Sequence, residues 1–362
     1  MVITFANIMK PELTNLIHGG LGSPLINKRN THILPDYIDT NVGGEERNAH
    51  IKLSLKQLVR PGSLVMAQPF LDDDIRHLYQ IPPKLTNWLN DKQNMGSYIP
   101  KELLPARYAE YKDGKSFFDS KRKFSLPCVI KVSSSSAGDG VHICKDAKTF
   151  QNTKKLLKNT KGTIFVEHYI EATANYGIQF GIPHDQSLPV DIIGINQQLT
   201  TPGGEFVGGV IDPARRYHEL ALIKEVILDQ VLPHVREMGW YGVGCFDVLP
   251  DKSGNLYIID ANFRMTGMTA YLMLTANQQI NQPLVSFSGE FTGTLKNFED
   301  MLDQMSSDYD RKRKVHILAL AVNDGVCRFN AAILYDTYAE INLIAKQLVD
   351  AGVVSKALNF FC

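Results

Sequence analysis

The chain has 362 residues, 38 Lys and Arg against 38 Asp and Glu, and 44% hydrophobic residues, an ordinary globular composition long enough for two or three domains and a sizeable core. A formal net charge of zero supplies no global field for phosphate backbones or anionic lipid, which argues against nucleic acid or a membrane as partner. No apolar stretch approaches the roughly 18 to 20 residues that cross a bilayer, and MVITFANIMKPEL lacks the basic and long apolar regions of a signal peptide, so the expected location is cytoplasmic.

In chain order, VITFAN (2–7), HGGLGSP (18–24), the turn NVGGEE (41–46), a helical stretch at 48–58 and SLVMAQPF (63–70) read as a small α/β unit, assigned to residues 1–88. Residues 89–125 are polar and rich in Lys, Tyr and Pro; LPCVIKVS (126–133) is then a strand by its β-branched content. SSSSAGDG (133–140) and VHIC complete a hairpin, a helix at 145–160 starts at Asp146, and TIFVEHYI (163–170) is again a strand. Sheet follows in 175–182, 189–200 and 205–211, with a TPGG turn. Leu220, Ile223, Ile227, Val231, Val235 and Met238 recur at helical spacing and Gly239 follows as a stop, which predicts one amphipathic helix over 219–238. It leads to strands at 241–249 and 255–262 across a PDKSG turn. Residues 277–313 read as mixed turns ending in the basic run RKRK, a solvated turn; a strand at 315–322 and a helix at 337–351 close a C-terminal α/β appendage, 277–362. The five cysteines at 128, 144, 245, 327 and 362 contain no C-x-x-C and encode neither a disulfide framework nor a zinc site. They read as core or surface thiols.

The segment GCFDVLPDKSGNLYIIDANFR (244–264) carries the most chemistry. Asp247 and Asp260 on paired antiparallel strands lie side by side, and Asn262 shares the face of Asp260. Two carboxylates and an amide oxygen are hard ligands suited to one or two Mg2+ ions held together with substrate phosphates. Arg264 continues the i, i+2 series as a bidentate partner for phosphate or carboxylate. SSSSAGDG offers backbone N–H groups and hydroxyls with little bulk, as a phosphate cradle requires, from Ser135, Ser136, Gly138 and Gly140. Lys131, inside the strand before it, calls for an anion. Arg215, Arg216 and His218 follow a strand and a proline turn, as substrate contacts or as surface charges.

NDK (90–92), PCVIKVSSSSAGDGV (127–141), VEHYI (166–170), GCFDVL (244–249) and IIDANFR (258–264), in this order, resemble the ATP-grasp superfamily of ligases over roughly 85–275. The resemblance implies an α/β (α+β) ATP-grasp fold: two α+β subdomains, 89–170 with the phosphate loop and 171–276 with the metal site, clasp ATP behind a small N-terminal α/β domain. It implies that Lys92 and Lys131 contact the nucleotide phosphates and that the small-residue loop closes over them. The main chain of His168 and Ile170 binds adenine with Glu167 nearby, and Glu171 or Asn175 contacts the ribose. Asp247, Asp260 and Asn262 hold magnesium, and Arg264 braces the reacting groups. Aspartate stands where glutamate is commoner at 247 and 260, and the loop is rich in serine rather than glycine. The implied activity is ATP-dependent carboxylate–amine ligation through an acyl phosphate, releasing ADP and phosphate, with backbone N–H groups near Thr266–Gly267 as oxyanion donors. PFLDDD (69–74) and the closing strand–helix unit resemble peptide-forming members with a pre-ATP-grasp domain. The alternatives are acyl transfer to a carrier-protein thiol and an inactive ATP-binding protein. The acid, the acceptor and a homo-oligomer stay open.

Overall fold

The computed structural model describes residues 3–4, 64–65, 73–79, 82–133, 140–213, 219–277, 280–307, 314–323 and 325–362. Two compact units are formed: residues 85–207 with 217–263, and residues 1–84 with 208–216 and 264–362. These limits differ from the four-part division at 88, 170 and 276 expected from the sequence. Of the N-terminal segment, β1 (Ile3–Thr4) pairs in parallel with β2 (Leu64–Val65), and α1 (Pro83–Leu89) follows. The helix at 48–58 and the NVGGEE turn lie outside the described residues.

The first unit holds two antiparallel sheets. In the smaller, β3 (Arg107–Tyr111), β4 (Cys128–Val132), β5 (Val141–Cys144) and β6 (Ile164–His168) are ordered β3-β6-β4-β5. One face buries Cys128, Ile130, Cys144, Ile164 and Val166 against Phe117 of α2 (Gly114–Asp119) and Phe150 of α3 (Ala147–Leu156). Both helices start at an aspartate that accepts a hydrogen bond from a first-turn amide: Asp113 from Ser116 and Asp146 from Thr149, each at 2.7 Å. Strict alternation along β4 and β6 therefore leaves Lys131 and Glu167 on the opposite face.

The larger sheet contains β7 (Tyr176–Ile182) and β8 (Asp191–Thr200), then β9 (Phe206–Ile211), whose residues from Gly208 on belong to the other unit. Next come α4 (Glu219–Glu225), a π-helical stretch Val226–Val231 and α5 (Leu232–Glu237). The expected helix over 219–238 is thus a helical run with a π segment, and Met238 is exposed rather than buried. Pro233 supplies the reason. It has no N–H and its ring collides with the carbonyl four residues earlier, so the preceding turn widens and the Leu232 amide reaches back to Ile227 O. Gly239 ends the run at φ 85°.

Strands β10 (Gly242–Pro250) and β11 (Leu256–Asn262) complete the order β11-β10-β7-β8 in this unit. The core under them gathers Phe180, Trp240, Phe246 and Phe263, with Phe180 stacked on Phe246 at 4.6 Å and Phe263 edge-on to Trp240 at 5.0 Å. Trp240 Nε1 donates to Thr86 Oγ1 at 3.0 Å, so the indole is buried with its polar atom satisfied. Gly244 is required beneath this cluster, because a Cβ there would stand 2.4 Å from Phe180.

In the second unit α6 (Thr269–Asn277) precedes β12 (Leu284–Thr292) and α7 (Leu295–Ser307). The mixed turns expected over 277–313 are therefore corrected: Phe287 alternates along a strand, while Phe298, Leu302 and Met305 form the buried stripe of a helix. β12 pairs with residues 208–211 of β9 and with β14 (Val326–Leu334), which pairs with β13 (Val315–Asn323). Helix α8 (Tyr338–Asp350) and β15 (Val353–Val354), which pairs with β12, close the chain. Among the described residues no helix is long and apolar enough to cross a membrane.

Candidate active site

Register builds the acidic half of the site. Asp247 of β10 lies directly opposite Asp260 of β11, and Cys245 opposite Asn262. Pairing of Asp247 with Asp260 and of Val248 with Ile258 leaves Ile259 as the extra residue of a bulge. The bulge matters: without it Asp260 would share the core face of Ile258, which is buried beside Val248. Asp247 Oδ1 accepts from Gln198 Nε2 at 2.6 Å. Asp260 Oδ1 lies 3.0 Å from Lys92 Nζ.

NDK serves this half with all three residues. Asn90 Oδ1 accepts from the Phe263 amide at 2.8 Å, fixing the end of β11, Asp91 caps the turn by accepting from the Gln93 amide at 3.0 Å, and Lys92 reaches Asp260. Burial, together with the charges of Asp260 and Asp91, pushes the Tyr98 phenol well above its ordinary range, so it remains a neutral donor to Leu89 O at 3.1 Å.

The cationic half lies on β3, β4 and β6. Lys131 Nζ donates to the carbonyl of the bulged Ile259 at 2.8 Å. It also lies 2.8 Å from Glu167 Oε2, an ion contact without the alignment of a hydrogen bond, since that oxygen has no hydrogen-bond partner. Both side chains are only 8% exposed. Arg107, opposite Glu167 in the β3–β6 register, approaches Glu167 Oε1 at 3.5 Å and lies 3.9 Å over the Phe165 ring.

The remaining expected residues divide. The His168 amide donates to Ala106 O and the Ile170 carbonyl accepts from the Ala172 amide. The exposed Glu171 pairs with Lys252 at 3.3 Å, whereas Asn175 Oδ1 is buried and without a partner. Gly140 O accepts from the Val132 amide at 2.9 Å and closes the hairpin; Ser135, Ser136, Gly138, Arg215, Arg216 and His218 lie outside the described residues. β11 ends at Asn262, and the alternation of buried Ala261 and Phe263 with half-buried Asn262 runs on to the half-buried Arg264, which belongs to the other unit and donates to Met265 O at 3.4 Å. One expectation is corrected. The Thr266 amide already donates to Thr269 Oγ1 at 2.8 Å, capping α6, and is not a spare oxyanion donor.

Arg107, Asn196 and Gln198 were not anticipated from the sequence. Arg107 stands in a short strand within a polar stretch, and the two amides alternate along β8 in INQQLT, a period-2 pattern that marks a polar sheet face.

Asp247, Asp260 and Asn262 have the donor chemistry for Mg2+, since all three offer hard oxygens and the two carboxylates are adjacent. Among the described residues no group of three or more His, Cys, Asp and Glu is gathered to hold an ion, so such an ion would complete its shell with phosphate oxygens.

Comparisons with known proteins bear on the fold. The family described as L-aspartate–L-methionine ligase, ATP grasp, matches residues 108–262. The [Butirosin acyl-carrier protein]–L-glutamate ligase of Niallia circulans is 24% identical over 189 residues, covering 50% of this chain and 44% of that protein. The match thus spans less than half the length of that relative. Among solved structures, N5-carboxyaminoimidazole synthetase from Staphylococcus aureus complexed with ADP superposes with a TM-score of 0.58 at 13% identity, covering 82% of this chain and 83% of that one. L-amino acid ligase from Bacillus licheniformis gives 0.57 at 15% identity, covering 87% and 86%. The chain has the ATP-grasp fold, and residues 108–262 are similar to the ATP-grasp family of L-aspartate–L-methionine ligase.

Proposed function

We propose that this protein is an ATP-dependent carboxylate–amine ligase that releases ADP and phosphate. The observation that carries the reading is the pairing of two half-sites within one unit: the Lys131–Glu167 pair on β4 and β6, and the Asp247–Asp260 pair on β10 and β11, joined by the bond from Lys131 to Ile259 O. The Ile170 amide and His168 carbonyl would hold the adenine edge, and Asn175, whose oxygen lacks a partner, suits the ribose better than Glu171.

Lys131 has three N–H donors, of which one is aligned on Ile259 O, so it can turn another to a phosphate oxygen without giving up its anchor. Lys92 offers a second cation at Asp260. An oxygen of the substrate carboxylate attacks the γ-phosphorus, the bond from that phosphorus to the β–γ bridging oxygen breaks, and ADP departs. Lys131 and Lys92 stabilise charge spreading over the transferred phosphoryl group. The amine nitrogen then attacks the acyl carbon, phosphate leaves with the C–O bond electrons, and the amine loses its proton. Mg2+ bound by Asp247, Asp260 and Asn262 would supply further charge neutralisation on the phosphates.

The test supplies ATP, Mg2+ and L-amino acids singly and in pairs to the full chain. Release of ADP and phosphate dependent on two amino acids supports the reading. Release dependent on an acyl-carrier protein instead of a free amine moves the assignment toward the carrier-linked chemistry named in the Niallia circulans relative. Absence of any ADP release contradicts both.

A further inference from the structure

The polar face of the larger sheet carries one row in which four strands are in register: Asp260 opposite Asp247, Asp247 opposite Gly177, and Gly177 opposite Asn196. Neighbours in register point to the same face, so Asn196 stands on the face of the acid pair, two strand spacings or about 10 Å from Asp247. That is too far to share an ion with Asp247, and it places Asn196 beside the acid pair rather than in it.

Asn196 is 1% exposed, and neither its Oδ1 nor its Nδ2 has a hydrogen-bond partner. A buried amide left wholly unsatisfied is destabilising, and replacing it by an apolar group of the same shape is neutral or favourable. The fold has no use for it. Its amide leans over the one position of the row that lacks a side chain: a Cβ on Gly177 would lie 2.8 Å from Asn196 Oδ1, 3.3 Å from Asn196 Nδ2 and 3.2 Å from Gln198 Nε2. Gln198 is committed to Asp247. Asn196 therefore presents one free acceptor and one free donor, uncharged, over a glycine floor beside the carboxylates.

We propose that Asn196 is a recognition residue for an α-amino acid substrate, its Oδ1 accepting from the α-ammonium and its Nδ2 donating to a substrate oxygen. This rests on the ligase reading for the location and class of the substrate and goes beyond it in naming the residue that recognises the α-ammonium. A zwitterion supplies both partners, whereas a plain carboxylic acid supplies only one.

The experiment uses the full chain and Asn196→Leu, with L-aspartate, L-glutamate and L-methionine against the des-amino acids succinate, glutarate and 4-(methylthio)butanoate. Binding is read as the rise in melting temperature with ADP and Mg2+ present, and turnover as ADP release with hydroxylamine as acceptor. The expected result is that Asn196→Leu melts no lower than wild type and keeps its ATP KM within twofold. At the same time it loses at least tenfold in affinity for the amino acid while leaving the des-amino acid unchanged. Unchanged amino-acid affinity in Asn196→Leu overturns the proposal, as does a wild-type protein that binds none of the three amino acids. If the leucine variant does not fold, Asn196→Ala is read the same way. A wild-type protein that binds an amino acid through Asn196 yet releases no ADP discounts the ligase reading and supports this one.

Discussion

The two sheets of residues 85–263 are built alike and charged oppositely. Each buries one face on aromatic and aliphatic side chains, and each turns a polar face the other way. On β3, β4 and β6 that face gathers Arg107 and Lys131 around Glu167; on β10 and β11 it sets Asp247 beside Asp260. The difference separates two ways of handling a polyphosphate. A cationic sheet contacts the anion directly, whereas an acidic sheet would repel it unless a divalent cation stands between. Loss of a residue from the first should therefore change nucleotide affinity at any magnesium concentration, and loss from the second should change the magnesium requirement itself.

The largest effect is expected at the acid pair. Asp260→Ala removes the carboxylate proposed as a metal ligand and the ion pair with Lys92, and should abolish turnover while the melting temperature stays within a few degrees of wild type. Raising Mg2+ should restore part of the activity of the milder Asp260→Asn. Turnover near wild type in the alanine variant would remove Asp260 from the site.

Next is Lys131→Met, which keeps the aliphatic stem and deletes the charge. ATP affinity or kcat should fall at least tenfold, about 1.4 kcal/mol, with no change in Mg2+ dependence. Because Glu167 is then buried beside only the more distant Arg107, stability should fall too, and Lys131→Met with Glu167→Gln should melt higher than Lys131→Met alone. A magnesium requirement altered in Lys131→Met would break the division between the sheets.

Arg107→Ala should have a smaller effect, a few-fold rise in the KM for ATP, since its guanidinium is 3.5 Å from Glu167 and partly exposed. The smallest is expected for Asp146→Ala. It removes the cap of α3, and measured thermal unfolding should show a modest loss of stability with ATP kinetics unchanged.

Much of this arrangement was legible in the sequence, and what was missed has physical causes. Alternation in LPCVIKVS and VEHYI gives the strands and faces of Lys131 and Glu167, because period 2 is insensitive to context, whereas LYIIDAN gives the strand of Asp260 but not its face. The bulge at Ile259 is not legible, since one extra residue leaves no compositional trace; the side-by-side aspartates were expected from simple pairing and are reached through that irregularity. The π segment follows from Pro233, a visible residue outweighed by the regular spacing of Ile223, Ile227, Val231 and Val235. Strand β12 and helix α7 were missed because Ser, Gly, Thr and Asp dilute their apolar stripes, although Phe287 packs edge-on to Phe329 at 5.8 Å and Phe298 lies 4.7 Å from the same ring. Lys92 and the hinge were reached only through resemblance to a family, as nothing local in NDK or VEHYI distinguishes them from a capped turn and an edge strand.

Acyl-phosphate chemistry at these residues is open to trapping with hydroxylamine. The full chain is incubated with ATP, Mg2+, an L-amino acid and hydroxylamine, with no other acceptor. The expected products are an amino-acid hydroxamate in equal amount with ADP and phosphate, and none of the three in Asp260→Ala. Hydroxamate accompanied by AMP and pyrophosphate would show an acyl adenylate and contradict an acyl phosphate.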